Sequence, residues 1–139
     1  MLNEAQTKTS TAQHSLNWAG ISTIDQAQAI ADSITASDWW AKDYSHCVRC
    51  EVTKMHGNVT KVNGVADTTQ IENGGLIGLT AKGLNYGTLL HEMAHCVAGG
   101  DAGHGPQWIR TYLALVYKVV GSDQYLALYN AFKSRELEF

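Results

Sequence analysis

His91-Glu92-Met93-Ala94-His95-Cys96-Val97-Ala98-Gly99-Gly100 reads as the last turns of a helix followed by its stop. Leu90, Met93, Ala94 and Val97 recur at helical spacing, so residues 84–98 are predicted to form a helix whose apolar stripe faces a core. The glycine pair supplies a residue tolerant of left-handed backbone at the helix C-terminus. His91 and His95 stand four residues apart on nearly the same helix face, so their imidazoles can grip one metal ion. Glu92 is rotated by about 100° from His91, too far to ligate comfortably but well placed to take a proton from a metal-bound water.

His104 follows nine residues after His95, within Asp101-Ala102-Gly103-His104-Gly105, and Pro106 then occupies a natural first position of a new helix. A loop that returns His104 to the helix completes three protein ligands and leaves a fourth position open, as in catalytic rather than structural zinc sites. Asp101 lies in the same loop and is the alternative third ligand. A glutamate ligand from the following helix is excluded, because residues 93–135 contain no Glu. The plainer reading of the same letters is a surface helix carrying two histidines and a glutamate in ordinary solvent contact.

The remaining composition narrows the class. A chain of 139 residues with 45% hydrophobic residues can bury one sizeable core but not two. A net charge of -3 offers no electrostatic case for binding nucleic acid or an anionic membrane. No apolar run approaches membrane-spanning length, and the polar start MLNEAQTKTSTAQHSLNWAG lacks the apolar centre of a signal peptide. The expected location is therefore the cytoplasm, or a host cytoplasm for a phage-encoded chain. Three cysteines cannot make a disulfide framework and suit a reducing compartment. Cys47 and Cys50 form a CxxC beside His46, which invites a second metal or redox reading. If 47–52 is a strand, however, residues three apart point to opposite faces. Cys96 is expected to be a small packing residue on its helix.

Along the chain, residues 1–21 are polar and expected to be loosely ordered, and 22–139 to form a single domain. Ser22-Thr23-Ile24-Asp25 resembles a capping box, and Ile24, Ala27, Ala31 and Ile34 predict a helix to about Ser37. Trp39, Trp40 and Tyr44 then read as core residues, with an aromatic substrate platform as the sharper alternative. Turn signals at His56-Gly57-Asn58, Asn63-Gly64 and Asn73-Gly74-Gly75 divide the next stretch into three or four antiparallel strands, near 48–55, 59–62, 65–72 and 76–80. Residues 106–120 predict a very apolar helix closed by Gly121, and Ser122 a cap for a last helix with Tyr125, Leu128, Tyr129 and Phe132 on one face. The order predicts an α+β domain: an N-terminal helix, a small antiparallel or mixed sheet, the histidine helix and two C-terminal helices.

A strand leading into an HExxH helix inside a small α+β domain resembles the zincin metallopeptidases. The likeness is closer to SprT-like proteases and to small metallohydrolases of actinobacteria and their phages. His91-Glu92-Met93-Ala94-His95 and His104-Gly105-Pro106-Gln107-Trp108 carry it, the latter similar to the HGxxW or HGPxF segment of those families. It spans roughly residues 22–121 and is only architectural outside the two motifs. The resemblance implies a minimal zincin-like fold, with His91, His95 and His104 as zinc ligands and Glu92 as general base. SprT-like proteases often carry a separate zinc ribbon or nucleic-acid-binding module; this sequence has neither, so a DNA-linked role does not transfer.

The expected activity is hydrolysis of a peptide bond in a peptide or protein substrate, by a zinc-activated water with Glu92 as base. Tyr112 and Arg110 lie on the following helix but read as structural and surface residues rather than as a second oxyanion donor. By resemblance, an extended substrate would pair with a sheet edge within 65–80. One rival is a non-catalytic zinc-stabilised binding module, which has no use for Glu92. Another keeps the site but cuts a peptidoglycan amide.

Overall fold

The computed structural model describes residues 4–55, 63–99 and 102–139. The expected turn at His56-Gly57-Asn58, the expected strand 59–62 and the candidate ligand Asp101 lie outside these residues. The elements run α1 (Glu4–His14), α2 (Ile24–Thr35), α3 (Asp38–Asp43), β1 (Arg49–Lys54), β2 (Gly64–Asp67), β3 (Gly74–Leu79), a 3₁₀ turn (Ala81–Gly83), α4 (Tyr86–Ala98), α5 (Pro106–Val119) and α6 (Ser122–Ser134). This is an α+β architecture around a three-stranded mixed sheet. None of the described helices is long and apolar enough to cross a membrane.

The sheet order is β1-β3-β2. β3 pairs antiparallel with β2 but parallel with β1, with Val52 opposite Ile77 in the parallel pair. Of the two forms expected, antiparallel or mixed, the sheet takes the mixed one. The parallel pair arises because β2 runs along the far side of β3 and not between β1 and β3, an ordering that local turn chemistry does not encode. α2 covers the β1 side. Thr23 Oγ1 accepts the Gln26 N–H at 3.0 Å to start it, and Ala27, Ala31 and Ile34 bury its inner face. Gln28 closes the outer edge of β1 with one carboxamide: Nε2 donates to Cys50 O (2.9 Å) and Oε1 accepts from Val52 N–H (2.7 Å).

α4 lies against β2 and β3 on one side and α5 on the other. Leu89, Leu90, Met93 and Ala94 are fully buried there. Gly75 is what lets the helix approach the sheet, since a Cβ at that position would collide with Cys96 Sγ. Cys96 is thus the packing residue expected of it. Trp40 is buried and donates its Nε1–H to Cys47 O at 2.6 Å, with Tyr44 edge-on to its ring. That is a core role, within a short helix α3 that the sequence did not announce.

Two further expectations are corrected. Ser122 is the first residue of α6 and Gly121 is its cap, with no side-chain hydrogen bond there. Residues 1–21, expected to be loosely ordered, contain α1, whose Thr9, Ala12 and Gln13 are buried. The chain after α1 is also tied down: Trp18 Nε1–H donates to Gln13 O (2.9 Å), and Gln124 Nε2 donates to Asn17 O (2.8 Å). The Trp18 ring occupies the space that a Cβ on Gly87 would need, which locks this segment onto α4. α1 escaped sequence reading because two of its three buried residues are polar, so it has no apolar stripe.

Candidate metal centre

α4 begins where Asn85 Oδ1 accepts the Thr88 N–H at 2.9 Å. It ends at Gly99, whose φ of 87° is open to glycine and whose N–H donates to His95 O at 2.9 Å. Gly103, with φ 53°, turns the loop back, and Gly105 N–H bonds Ala102 O at 3.0 Å before Pro106 opens α5. This short return sets His104 over the exposed end of the His91–His95 pair.

The three Nε2 atoms converge. His104 Nε2 is 3.0 Å from His95 Nε2 and 3.1 Å from His91 Nε2. One ligand atom from each histidine lies within 4.8 Å of the others, so the three can hold a metal ion. Tetrahedral ligation with bonds of about 2.0–2.1 Å sets nitrogens roughly 3.3 Å apart, close to the spacing present.

The opposite side of two rings shows which nitrogen is free. His91 Nδ1–H donates to Gln13 Oε1 at 2.6 Å. His104 Nδ1–H donates to Thr9 Oγ1 at 3.2 Å, and the Thr9 hydroxyl proton is itself committed to Ala5 O at 2.9 Å. Both bonds place the proton on Nδ1, leaving the Nε2 lone pairs of His91 and His104 facing each other. Two facing lone pairs repel, and a cation between them removes the repulsion. The donor set therefore fits a metal ion on the chemistry of its own atoms.

Electrostatics point the same way. Burial first, then the neighbouring imidazoles, hold His91 well below the usual histidine range. Burial and His104 push His95 down to about 4, and burial alone pushes His104 down to about 4. All three rings are thus neutral near pH 7 and ready to ligate. Glu92 is buried, with Oε2 4.0 Å from His91 Nε2. With His91 neutral this is no ion pair, and burial pushes the Glu92 carboxyl up to about 8.

Trp108 forms the floor, its ring centroid 4.6, 5.2 and 4.4 Å from those of His91, His95 and His104, and its Nε1–H donates to His91 O at 3.3 Å. Tyr112 stacks beneath Trp108 and its hydroxyl donates to Gly87 O at 2.9 Å, so it is spent on structure. Arg110 is exposed and borders a separate cavity of about 520 Å³ between α5 and α6, remote from the histidines and lined chiefly by Leu113, Tyr117, Tyr125 and Tyr129.

Two cavities flank the cluster. One of about 210 Å³ opens between α1 and α4, beside His91, Glu92 and His104. The other, about 310 Å³, is bordered by Val65 and Ala66 of the edge strand β2, with Glu92, His95 and His104.

The second cysteine motif corrects the strand argument. Cys47 Sγ and Cys50 Sγ lie 3.9 Å apart and both are buried. Strand alternation does not apply, because β1 begins at Arg49 and Cys47 sits in the preceding turn, with its N–H on Tyr44 O. Hydrogen bonds to Cys47 and then Cys96, with burial, push the Cys50 thiol far up; the bond to Cys50 lowers Cys47. His46 Nε2 donates to Val97 O at 2.7 Å, capping the end of α4 instead of joining the thiols. Among the described residues the three histidines are the one group of this kind that can hold a metal.

Thr9 and Gln13 are the site residues that the sequence reading missed. Their one signal is i, i+4 spacing on a polar helix. Compared with known proteins, the chain matches no family model, no curated protein and no solved structure.

Proposed function

We propose that the protein is a zinc-dependent hydrolase with a zincin-like fold, a metallopeptidase resembling SprT-like proteases and the small metallohydrolases of actinobacteria and their phages. The observation that carries this reading is the convergence of three Nε2 atoms, two with their lone pairs fixed inward by α1, beside one buried carboxylate. Three nitrogen ligands suit zinc, and with three protein ligands a fourth position stays open. Bound zinc supplies a water with pKa near 7 and a Lewis acid for the scissile carbonyl.

The residues divide the remaining work. His91, His95 and His104 hold the ion, while Gln13 and Thr9 hold two of those rings in register. Glu92 takes the proton of the attacking water and returns it to the leaving amine. Burial raises its proton affinity, and a dication held by the three histidines would favour the ionised form needed at neutral pH. β2 lies at the sheet edge with Val65 and Ala66 bordering the site, which suits antiparallel addition of an extended peptide. A structural zinc site has no use for Glu92 in this position, which sets the hydrolase above the binding-module reading.

The test is cleavage of a diverse peptide library by the zinc-loaded chain, beside Glu92→Gln and His91→Ala. Glu92→Gln should keep zinc and lose cleavage by at least about 10²-fold. His91→Ala should lose both. Cleavage by Glu92→Gln at the wild-type rate would overturn the mechanism.

A further inference from the structure

Among the described residues that border the cavity of about 210 Å³ between α1 and α4 there is no Lys, no Arg and no hydrocarbon side chain. The one acidic group among these described residues is Glu92, at the reaction centre. Hydrogen-bonding amides, hydroxyls and imidazoles line the rest, and three of these groups have unused capacity in complementary senses.

Thr88 is 2% exposed, and its Oγ1 is buried with no hydrogen-bond partner. Buried hydroxyls are normally paired, and Thr88 is one of the residues that border this cavity. Gln13 gives Oε1 to His91, which leaves its Nε2 as a donor on the cavity wall. Asn63 gives Nδ2 to His14 Nε2 at 2.9 Å, which leaves its Oδ1 as an acceptor. Asn63 is itself held in place, its backbone carbonyl accepting both the Thr80 N–H and the Thr80 hydroxyl at 3.0 Å.

We propose that this cavity is a specificity subsite for a primary carboxamide, the side chain of asparagine or glutamine, in the substrate residue flanking the bond to be cut. The carboxamide oxygen accepts from Gln13 Nε2, its NH₂ donates to Asn63 Oδ1, and Thr88 Oγ1 completes the set in either sense. A carboxylate offers no proton to Asn63 Oδ1 and approaches Glu92. An alkyl side chain leaves all three groups unpaired, the circumstance in which polar sites discriminate most strongly. Among the described lining residues a lysine finds no acid other than Glu92, which belongs to the reaction centre. The placement of this subsite beside a scissile bond rests on the hydrolase reading; its chemistry does not.

The test uses the zinc-loaded full chain and capped dipeptide hydroxamates, which anchor on the metal without being cleaved. The residue beside the hydroxamate is varied among Gln, Asn, Glu, Leu and Lys, with zinc content measured on each sample. Gln and Asn compounds should bind at least about tenfold more tightly than the others. Thr88→Val, a substitution of equal shape, and Asn63→Ala should each erase that preference with zinc retained. Equal or tighter binding of the Leu, Glu or Lys compound with zinc in place overturns the subsite and leaves the metal reading standing. A second arm needs no metal: N-acetylglutamine N-methylamide, and not N-acetylnorleucine N-methylamide, should shift the NMR resonances of Thr88 and Asn63 in the metal-free chain. Equal shifts with both compounds overturn the proposal irrespective of any hydrolysis.

Discussion

Gln13 Oε1 accepts the Nδ1–H of His91 at 2.6 Å, joining residues 78 positions apart. This one bond fixes the ring orientation and the tautomer of a metal-ligand candidate from outside the ligand set. Gln13→Ala should therefore lower metal affinity by about 10–100-fold while the fold is retained, as removal of such outer partners does. Gln13→Glu, which still accepts the proton, should recover most of it. Competition with a chromophoric chelator measures both.

Metal-free protein should show a stability maximum near pH 6.5. The folded histidines resist protonation (His95 and His104 down to about 4, His91 also lowered), so the unfolded chain binds more protons below the ordinary histidine value of 6.5. Their contribution is full above about 6.5 and lost as pH falls towards 4. Glu92 works in the opposite sense: raised from 4.5 to about 8, its contribution is full below 4.5 and lost as pH rises towards 8. Between 4.5 and 6.5 three histidines oppose one carboxyl, so stability still rises with pH. Urea melts of chelator-treated protein from pH 4 to 9 check the dome. Zinc loading should flatten its alkaline limb and steepen its acid limb.

Trp108→Ala removes the surface on which all three imidazoles rest, and should cost about 3–5 kcal/mol of stability. Trp108→Phe keeps a ring but loses the donor to His91 O, so a smaller loss of about 1 kcal/mol is expected. Denaturant unfolding separates the two. Quenching of tryptophan fluorescence by a paramagnetic divalent ion in the wild type, and its loss in Trp108→Phe, would place that ion beside this ring.

Gly75→Ala should destabilise by about 1–3 kcal/mol, because the added methyl meets Cys96 Sγ with no room to yield. Cys96→Ala in the same chain should recover part of the loss, giving a favourable coupling in a double-mutant cycle.

The histidine helix was legible in sequence because each of its signals is local. Helical spacing of Leu90 and Met93, glycine at the positive φ of Gly99 and proline at the first position of α5 are all properties of a few adjacent residues. The α+β class followed from the order of such segments. The convergence of His104 on His91 and His95 was also within reach, since a loop of known length joins elements whose ends were known.

Chain letters alone therefore singled out three histidines that can hold a metal and the carboxylate that lies beside them. They did not determine what surrounds them. Thr9 and Gln13 are buried because each meets a particular histidine, and a polar residue carries no mark of the partner it will find across 95 or 78 residues. The parallel pairing of β1 with β3 and the unpaired Thr88 hydroxyl have the same origin. Each depends on contacts between segments distant in the chain, settled by burial and hydrogen-bond satisfaction over the whole domain, and these leave no local period to read.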